Sequence, residues 1–133
     1  IRDLMKMVEL YVELPARRFH TEAFWGVPVH EVTNKEVKRA LLNGMQAISR
    51  AASFSPYLAG DKLSAADIFF LYSLDLASGV AKKLYNIDLL AEAPGAKALV
   101  EKLNAMPEVK SIAKDKRAAA PAFNAYLAKQ LNK

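Results

Sequence analysis

Cysteine is absent from this 133-residue chain, and glycine, proline and histidine are scarce. The absence of cysteine excludes a disulfide framework, a thiolate metal site and a cysteine nucleophile within the chain, and it permits a reducing compartment. Five glycines and six prolines are too few for a low-complexity segment or a turn-rich sandwich of strands. Alanine, leucine, lysine and glutamate are abundant, as long helices favour. The composition therefore predicts an all-α fold.

The sequence also lacks a long apolar run and a signal pattern. The longest apolar stretch, residues 68–80, is interrupted by Ser73 and Asp75 and falls short of the ~20 residues that cross a membrane. The N-terminus does not show the basic-then-apolar order of a secretory signal. We therefore expect a cytoplasmic protein with no membrane partner.

Basic residues outnumber acidic ones, which gives a net charge of +5, but the two signs are interleaved along the chain. The group that comes nearest to a basic patch comprises Lys110, Lys114, Lys116 and Arg117. No aromatic residue lies among these four to provide a stacking platform for bases. We interpret them as a solvated helix face and expect no nucleic-acid partner.

A length of 133 residues, of which 53% are hydrophobic, is enough for one domain with its own core. No internal repeat and no linker rich in Gly, Ser or Pro divides the chain, so we expect one domain over residues 1–133. The sequence starts at Ile1 without a methionine, already within a helical pattern. We therefore interpret the chain as a fragment of a longer protein.

Hydrophobic spacing and helix-breaking residues predict a compact bundle of five or six helices with short connections. The first helix is expected to reach Phe19 or beyond. Pro15 inside it removes one backbone N–H and is expected to bend the axis near Tyr11. A second helix follows, capped by Thr33 or Asn34.

The second half of the chain contains the remaining helices. The third helix is expected to run from Ser64 to about Leu84, and a short helix precedes Pro107. Pro107 suits the first turn of the next helix, which is expected to end at about Arg117. Pro121 is expected to begin the last one.

Residues 64–67, Ser-Ala-Ala-Asp, form the most informative local motif. The Ser64 hydroxyl at an N-cap accepts from the backbone N–H three residues on, while the Asp67 carboxylate accepts from the Ser64 N–H and lies at the positive end of the helix dipole. The helix that follows is apolar on nearly every face, which predicts the buried, central helix of the bundle. We expect this capping box to nucleate that helix.

Few other side chains suggest chemistry. His20 and His30 are the two histidines, separated by a loop and without a Glu-x-x-His pattern, so no metal site is expected. Phe19, Phe24 and Trp25 form an aromatic cluster that either lines an apolar pocket or packs to seal the end of the first helix.

Four segments, taken in order, carry a family resemblance. They are residues 11–18 (Tyr-Val-Glu-Leu-Pro-Ala-Arg-Arg), 57–61 (Tyr-Leu-Ala-Gly-Asp), 63–68 (Leu-Ser-Ala-Ala-Asp-Ile) and 103–109 (Leu-Asn-Ala-Met-Pro-Glu-Val). With them, most of the chain resembles the all-helical C-terminal domain of cytosolic glutathione S-transferases. The most specific element is a Tyr-Leu-x-Gly-x-x-x-(Ser/Thr)-x-x-Asp pattern, matched by Tyr57, Leu58, Gly60, Ser64 and Asp67. In that family the Ser/Thr and Asp are folding determinants, so the resemblance implies a structural role for this capping box.

The resemblance also implies that a second domain of the protein carries part of the function. Family members place a thioredoxin-like domain ahead of the helical one, and it carries the glutathione site and the Tyr, Ser or Cys that activates the thiol. That domain would precede Ile1, with glutathione as co-substrate and no cofactor in this chain. The expected function is detoxifying conjugation of glutathione to a small apolar electrophile by a homodimer. This chain would form the wall of the electrophile pocket and part of the dimer interface, and would be inactive alone.

Four residues are candidates for substrate binding, and none is assigned a catalytic role. By resemblance, Tyr11 lies near the electrophile pocket, where its hydroxyl orients the electrophile; a core or interface tyrosine is the alternative. Arg17 and Arg18 either hold an acidic substrate or glutathione carboxylate or are ordinary surface arginines, because adjacent helical positions point about 100° apart. Tyr72 faces either the pocket or the core.

The same fold also serves as a non-catalytic docking module in translation factors and aminoacyl-tRNA synthetases, which is our second hypothesis. A glutathione-dependent isomerase or dehalogenase is a third. The flanking sequence separates the first two, because an activating Tyr, Ser or Cys in a neighbouring domain indicates an enzyme, whereas a synthetase-like or elongation-factor domain indicates a scaffold.

Overall fold

The computed structural model of the chain describes residues 1–131, apart from the side chains of Val32 and Thr33. Helices account for most of this stretch, which contains no β-strand and only an isolated bridge between Tyr57 and Gly60. The predicted all-α class is confirmed. Within the same residues, no helix is both long and apolar enough to cross a lipid bilayer.

The helical elements follow one another with short connections. They are α1 (Arg2–Val8), a π-helical turn (Glu9–Glu13), α2 (Leu14–Arg17), α3 (His20–Trp25), α4 (Glu31–Ala51), α5 (Ala65–Tyr85), a 3₁₀ turn (Leu89–Glu92), α6 (Pro94–Asn104) and α7 (Pro107–Leu131). Because α1, the π turn and α2 are continuous, we treat them together as the first helix. Residues 1–131 then contain six helices, in agreement with the five or six expected.

Two compact units make up the chain, Ile1–Val100 and the residues from Glu101 onward. In the first unit, the first helix packs against α4 and α5, α3 packs against α5, and the 3₁₀ turn packs against α4 and α5. In the second unit, Leu103 and Val109 are buried and α7 exposes most of its side chains. The expectation of one domain over residues 1–133 stays a prediction.

Buried residues of the first helix recur every four positions instead of at the α-helical period of about 3.6. In an α-helix each four-residue step rotates the side chain about 40° beyond a full turn, so successive steps drift away from the core. The Leu14 N–H donates to the Glu9 carbonyl, five residues back, and this wider turn offsets part of the drift. The side chains that remain buried are Leu4, Val8, Val12 and Ala16.

Pro15 explains why the wider turn lies at this position. In a regular α-helix the Tyr11 carbonyl accepts from the N–H of residue 15, and proline has no N–H to donate. The π turn, Glu9–Glu13, is centred on Tyr11. The sequence predicted a bend of the helix axis near Tyr11. The structure has an irregularity at that position, and it is a turn of π-helix between two α-helical segments.

α5 is the central helix of the first unit, because it packs against the first helix, α3, α4 and the 3₁₀ turn. It starts directly after Ser64 and ends at Tyr85, where Asn86 adopts a left-handed conformation, so the expected bounds are confirmed. The largest fully buried side chains of this unit come from the first helix, α4, α5, α6 and the connections: Val8, Val12, Phe19, Val37, Leu41, Met45, Ile48, Leu58, Phe70, Leu89 and Leu99.

Two predicted helix boundaries are wrong. α4 begins at Glu31, so residues 33 and 34 lie inside the helix instead of capping it, and the Glu31 carboxylate lies in the first turn, where the dipole favours it. α7 runs through Pro121 without a break. The Arg117 carbonyl loses its N–H partner there, but this part of α7 is exposed, so water can donate to it.

Candidate functional site

An open groove of about 250 Å³ lies between the first helix and α4. Its wall includes Leu10 and Leu14, which are 50% and 45% exposed. The full lining is Leu10, Leu14, Pro15, Arg18, Glu36, Val37 and Ala40. Neither Arg18 nor Glu36 has an ion pair with another residue in the described part of the chain. The groove therefore combines apolar walls with one cation and one anion.

Gly44 on α4 sets how closely the two helices beside the groove approach. A Cβ at Gly44 would lie 2.4 Å from the carbonyl oxygen and 2.9 Å from the Cβ of Tyr11. The backbone of the π turn therefore rests directly on α4 where α4 has no side chain. This contact fixes the first helix against α4 and leaves Tyr11 half exposed, at 50%.

Glu13 connects the first helix to α5. Its Oε1 accepts from Nε and Nη2 of Arg17 at 2.8 and 2.6 Å, and its Oε2 accepts from the Ser73 hydroxyl at 2.5 Å. Burial by itself raises the pKa of Glu13, but the hydrogen bonds from Ser73 and Arg17 and the Arg17 charge outweigh it, so the pKa lies below its usual value. Glu13 is held as a carboxylate and orients Arg17.

The Glu13 network is expected to contribute pH-dependent stability. Because the folded-state pKa is lowered, the contribution is complete above the unfolded-state pKa of about 4.3 and is lost as the pH falls through the folded value. Glu13→Gln should cost about 1–2 kcal/mol at pH 7 and progressively less between pH 5 and 3. Urea unfolding across this range measures it.

Glu9→Gln is the matched control, because Glu9 pairs with Lys6 on the exposed side of the same helix. That pair is expected to contribute less than about 0.5 kcal/mol. A Glu13→Gln penalty that stays constant down to pH 3, or equals that of Glu9→Gln, would contradict the assignment.

The candidate substrate residues lie on different surfaces of the first unit. Arg18 lines the groove, whereas Arg17 pairs with Glu13 toward α5, as the angle between adjacent helical positions requires. Tyr11 lies where the first helix crosses α4, and Tyr72 is 37% exposed on α5. Arg18 alone of these four is among the groove residues. Their roles in substrate binding stay predictions.

The capping box at the start of α5 is formed, and it holds the preceding loop as well. Asp67, which is completely buried, accepts from the Ser64 N–H at 2.8 Å and the Ser64 hydroxyl at 3.0 Å. Its other oxygen accepts from the N–H of Leu58 at 2.7 Å. One carboxylate therefore ties the buried loop residue Leu58 to the first turn of α5.

Sequence reasoning missed most of the groove and the partner of Arg17. The Glu13–Arg17 spacing of four was a usable signal, because such pairs face each other on a helix. The partnership of Glu13 with Ser73 joins residues 60 positions apart and left no local pattern. The sequence around Leu10, Leu14 and Val37 has no local feature that distinguishes a groove from an ordinary amphipathic helix face.

Two other predictions concern metal and aromatic groups. Within the described residues, no group of three or more metal-ligating side chains lies together. The expected aromatic cluster differs in one member, because Phe19 is fully buried in the core and His20 takes its place beside Phe24 and Trp25.

The amino-acid sequence of this chain is similar to that of known proteins. A sequence profile described as "Glutathione S-transferase, C-terminal domain" matches residues 29–130. A curated relative from Pseudomonas putida strain F1, named glutathione S-transferase, is 42% identical over 123 residues. That alignment covers 92% of this chain and 56% of the relative, so the chain spans about half the length of the curated relative it matches.

Proposed function

This chain belongs to the glutathione S-transferase family, and from that premise we propose that it is the helical half of an enzyme that conjugates glutathione to apolar electrophiles. The proposal rests above all on the 42% identity with a protein named glutathione S-transferase. Because the chain corresponds to 56% of that relative, the proposal includes a thioredoxin-like domain that binds glutathione and activates its thiol.

In this proposal the groove beside α4 forms the wall of the electrophile site. The apolar side chains of Leu10, Leu14 and Val37 suit an aromatic or alkyl electrophile, and a volume of about 250 Å³ suits a single ring. Arg18 at its edge suits a nitro, carboxylate or halide group. The gain in rate from such a wall comes from holding the electrophile close to the thiolate, which the other domain supplies.

The remaining candidate residues have supporting roles in the proposal. The hydroxyl groups of Tyr11 and Tyr72 orient the electrophile or its leaving group, and Arg17, oriented by Glu13, receives a carboxylate of glutathione. The proposal also includes a cytoplasmic homodimer with a role in detoxification. Sedimentation equilibrium of the longer protein measures the dimer.

This chain alone is expected to show no conjugation of glutathione to 1-chloro-2,4-dinitrobenzene, because the proposal assigns the thiol-activating residue to the other domain. The longer protein encoded by the gene is expected to be active. The measurement is the rate of thioether formation with equal molar amounts of each protein. Activity of the 133-residue chain by itself would contradict the assignment of thiol activation to the other domain.

The groove is tested in the longer protein with the same assay. Arg18→Ala should raise the KM for the electrophile about threefold to tenfold with little change in kcat, because Arg18 contributes to binding in the ground state and the transition state alike. Arg39→Ala, which removes an exposed arginine outside the groove lining, is the control. Equal effects of the two substitutions would remove the groove from the proposal. An upstream domain of synthetase or elongation-factor type would favour the docking module instead.

A further inference from the structure

The groove beside α4 is lined on one side by residues of the first helix that recur every four positions. They are Leu10, Leu14 and Arg18. In a regular α-helix such a row drifts by about 40° at each step, and the π turn offsets part of that drift between Leu10 and Leu14. The turn that keeps the buried row in the core therefore also keeps this row on the groove.

The π turn leaves the carbonyl of Leu10 without its usual helical partner. In an α-helix this carbonyl accepts from the N–H of residue 14, but the Leu14 N–H donates to the Glu9 carbonyl. In a π-helix it accepts from residue 15, and Pro15 has no N–H. Among the described residues, no loop amide or side chain donates to it. Leu10 therefore keeps a backbone acceptor that has to be satisfied from outside the helix.

The direction of this carbonyl places it on the wall of the groove. Helix carbonyls point along the axis toward the C-terminal end, so this one points from Leu10 toward residues 14 and 15. Leu10, Leu14 and Pro15 all line the groove. The Tyr11 carbonyl, which Pro15 also affects, lies against α4 at Gly44 instead and is closed to a ligand. The free acceptor is therefore the one that borders the cavity.

We propose that the Leu10 carbonyl accepts a hydrogen bond from the molecule in the groove, and that the substrate is an aromatic electrophile with an N–H or O–H donor. The donor lies at this carbonyl, the ring packs against the apolar wall, and an electron-withdrawing group such as nitro lies near Arg18. Pro15 is then a positioning residue, because it keeps the acceptor free. That the ligand is a substrate rests on the proposed function, whereas the acceptor does not.

Two ligands of nearly equal shape test the acceptor. The amino group of 4-nitroaniline donates a hydrogen bond, and the methyl group of 4-nitrotoluene cannot. Both are single rings that carry a nitro group and no charge at pH 7. Titration of the ¹⁵N-labelled chain, followed by NMR, measures both dissociation constants. We expect 4-nitroaniline to bind about threefold to tenfold more tightly, the ratio that one neutral hydrogen bond contributes.

A labelled carbonyl shows which group accepts the hydrogen bond, and this measurement requires no variant. With ¹³C-carbonyl leucine and ¹⁵N-tyrosine, only a leucine that precedes a tyrosine gives a correlation. The sequence contains three such pairs, Leu10–Tyr11, Leu71–Tyr72 and Leu84–Tyr85. Because a carbonyl that accepts a hydrogen bond moves downfield, 4-nitroaniline should shift the Leu10 signal and leave the other two in place. The toluene should not move the Leu10 signal downfield.

Pro15→Ala is expected to abolish the preference for 4-nitroaniline. In the π register the new N–H of residue 15 donates to the Leu10 carbonyl, and in the α register the Leu14 N–H does so. The affinity for 4-nitrotoluene should change less than twofold. Pro121→Ala is the matched control, because it makes the same substitution inside a helix but outside the groove lining. It should leave both affinities unchanged.

Four results would overturn the proposal. They are equal affinities for the two ligands, a Leu10 signal that does not move, equal effects of Pro15→Ala and Pro121→Ala, and a preference that survives Pro15→Ala but is lost in Glu36→Leu. The last result would assign the donor to the Glu36 carboxylate. Because the titrations require neither glutathione nor turnover, their failure would leave the proposed function intact. A confirmed acceptor in a protein without conjugation activity would overturn only the assignment of the ligand as a substrate.

Discussion

Gly44→Ala is expected to lower the free energy of unfolding by about 2–3 kcal/mol. The new methyl group would lie 2.4 Å from the carbonyl oxygen of Tyr11. A backbone atom cannot rotate away from this contact as the end of a flexible side chain can. The first helix must therefore move away from α4, which loosens the packing of buried neighbours such as Val12 and Leu41. Alanine's higher helix propensity offsets at most about 1 kcal/mol. Urea unfolding monitored by circular dichroism measures the loss.

Gly79→Ala is the matched control, because it makes the same substitution inside a helix of the same unit. Its methyl group would meet only the tip of the Phe24 ring, at 2.8 Å, and that ring is partly exposed and can shift. We expect the free energy of unfolding to change by less than about 1 kcal/mol. If both variants lose the same stability, the close approach of Tyr11 and Gly44 is not what penalises alanine.

Asp67→Ala is expected to cost about 2–4 kcal/mol. The substitution removes the acceptor for the buried Leu58 N–H, at about 1–3 kcal/mol, and the capping interaction with Ser64, at about 1 kcal/mol. Loss of the contact to Leu58 also releases the loop that precedes α5. Chemical denaturation measures the stability, and hydrogen exchange at the Leu58 amide should show the local release.

Ser64→Ala separates the two roles of Asp67. It removes the hydroxyl of the capping box but leaves the bond from Leu58 to the carboxylate, so the expected loss is about 1 kcal/mol. An Asp67→Ala loss no larger than that of Ser64→Ala would mean that the bond to the loop contributes nothing. The carboxylate would then act only as a helix cap.

Local signals in the sequence, capping groups and prolines, predicted some helix ends of this protein and misplaced others. Ser64 and Asp67 located the start of α5 because a capping box is complete within four residues. Pro121 misled for the same local reason, since proline commonly starts a helix. The deciding factor was the exposure of α7 around Arg117, and exposure depends on the whole fold.

Long-range contacts explain why less of the site was predicted. Nothing in the sequence near Gly44 indicates that the Tyr11 carbonyl lies against it, and nothing near Ser73 points to Glu13. The aromatic cluster was predicted in part, because Phe24 and Trp25 are adjacent in sequence. The Nζ of Lys83, on α5, lies 4.4 Å from the centroid of the Phe24 ring, and this contact was beyond local reasoning.

The π turn, Glu9–Glu13, holds one residue more than an α-helical turn does, which lets buried side chains on either side of it lie four positions apart. If one residue were deleted within it, the turn would close to ordinary α geometry, and Leu4 and Val8 would keep facing the core. A deletion between Leu4 and Val8 could not be absorbed in this way, because it would rotate the residues before it by about 100° about the axis and turn Leu4 away from the core. The first helix therefore tolerates the loss of a residue at the π turn and not in the regular turns before it.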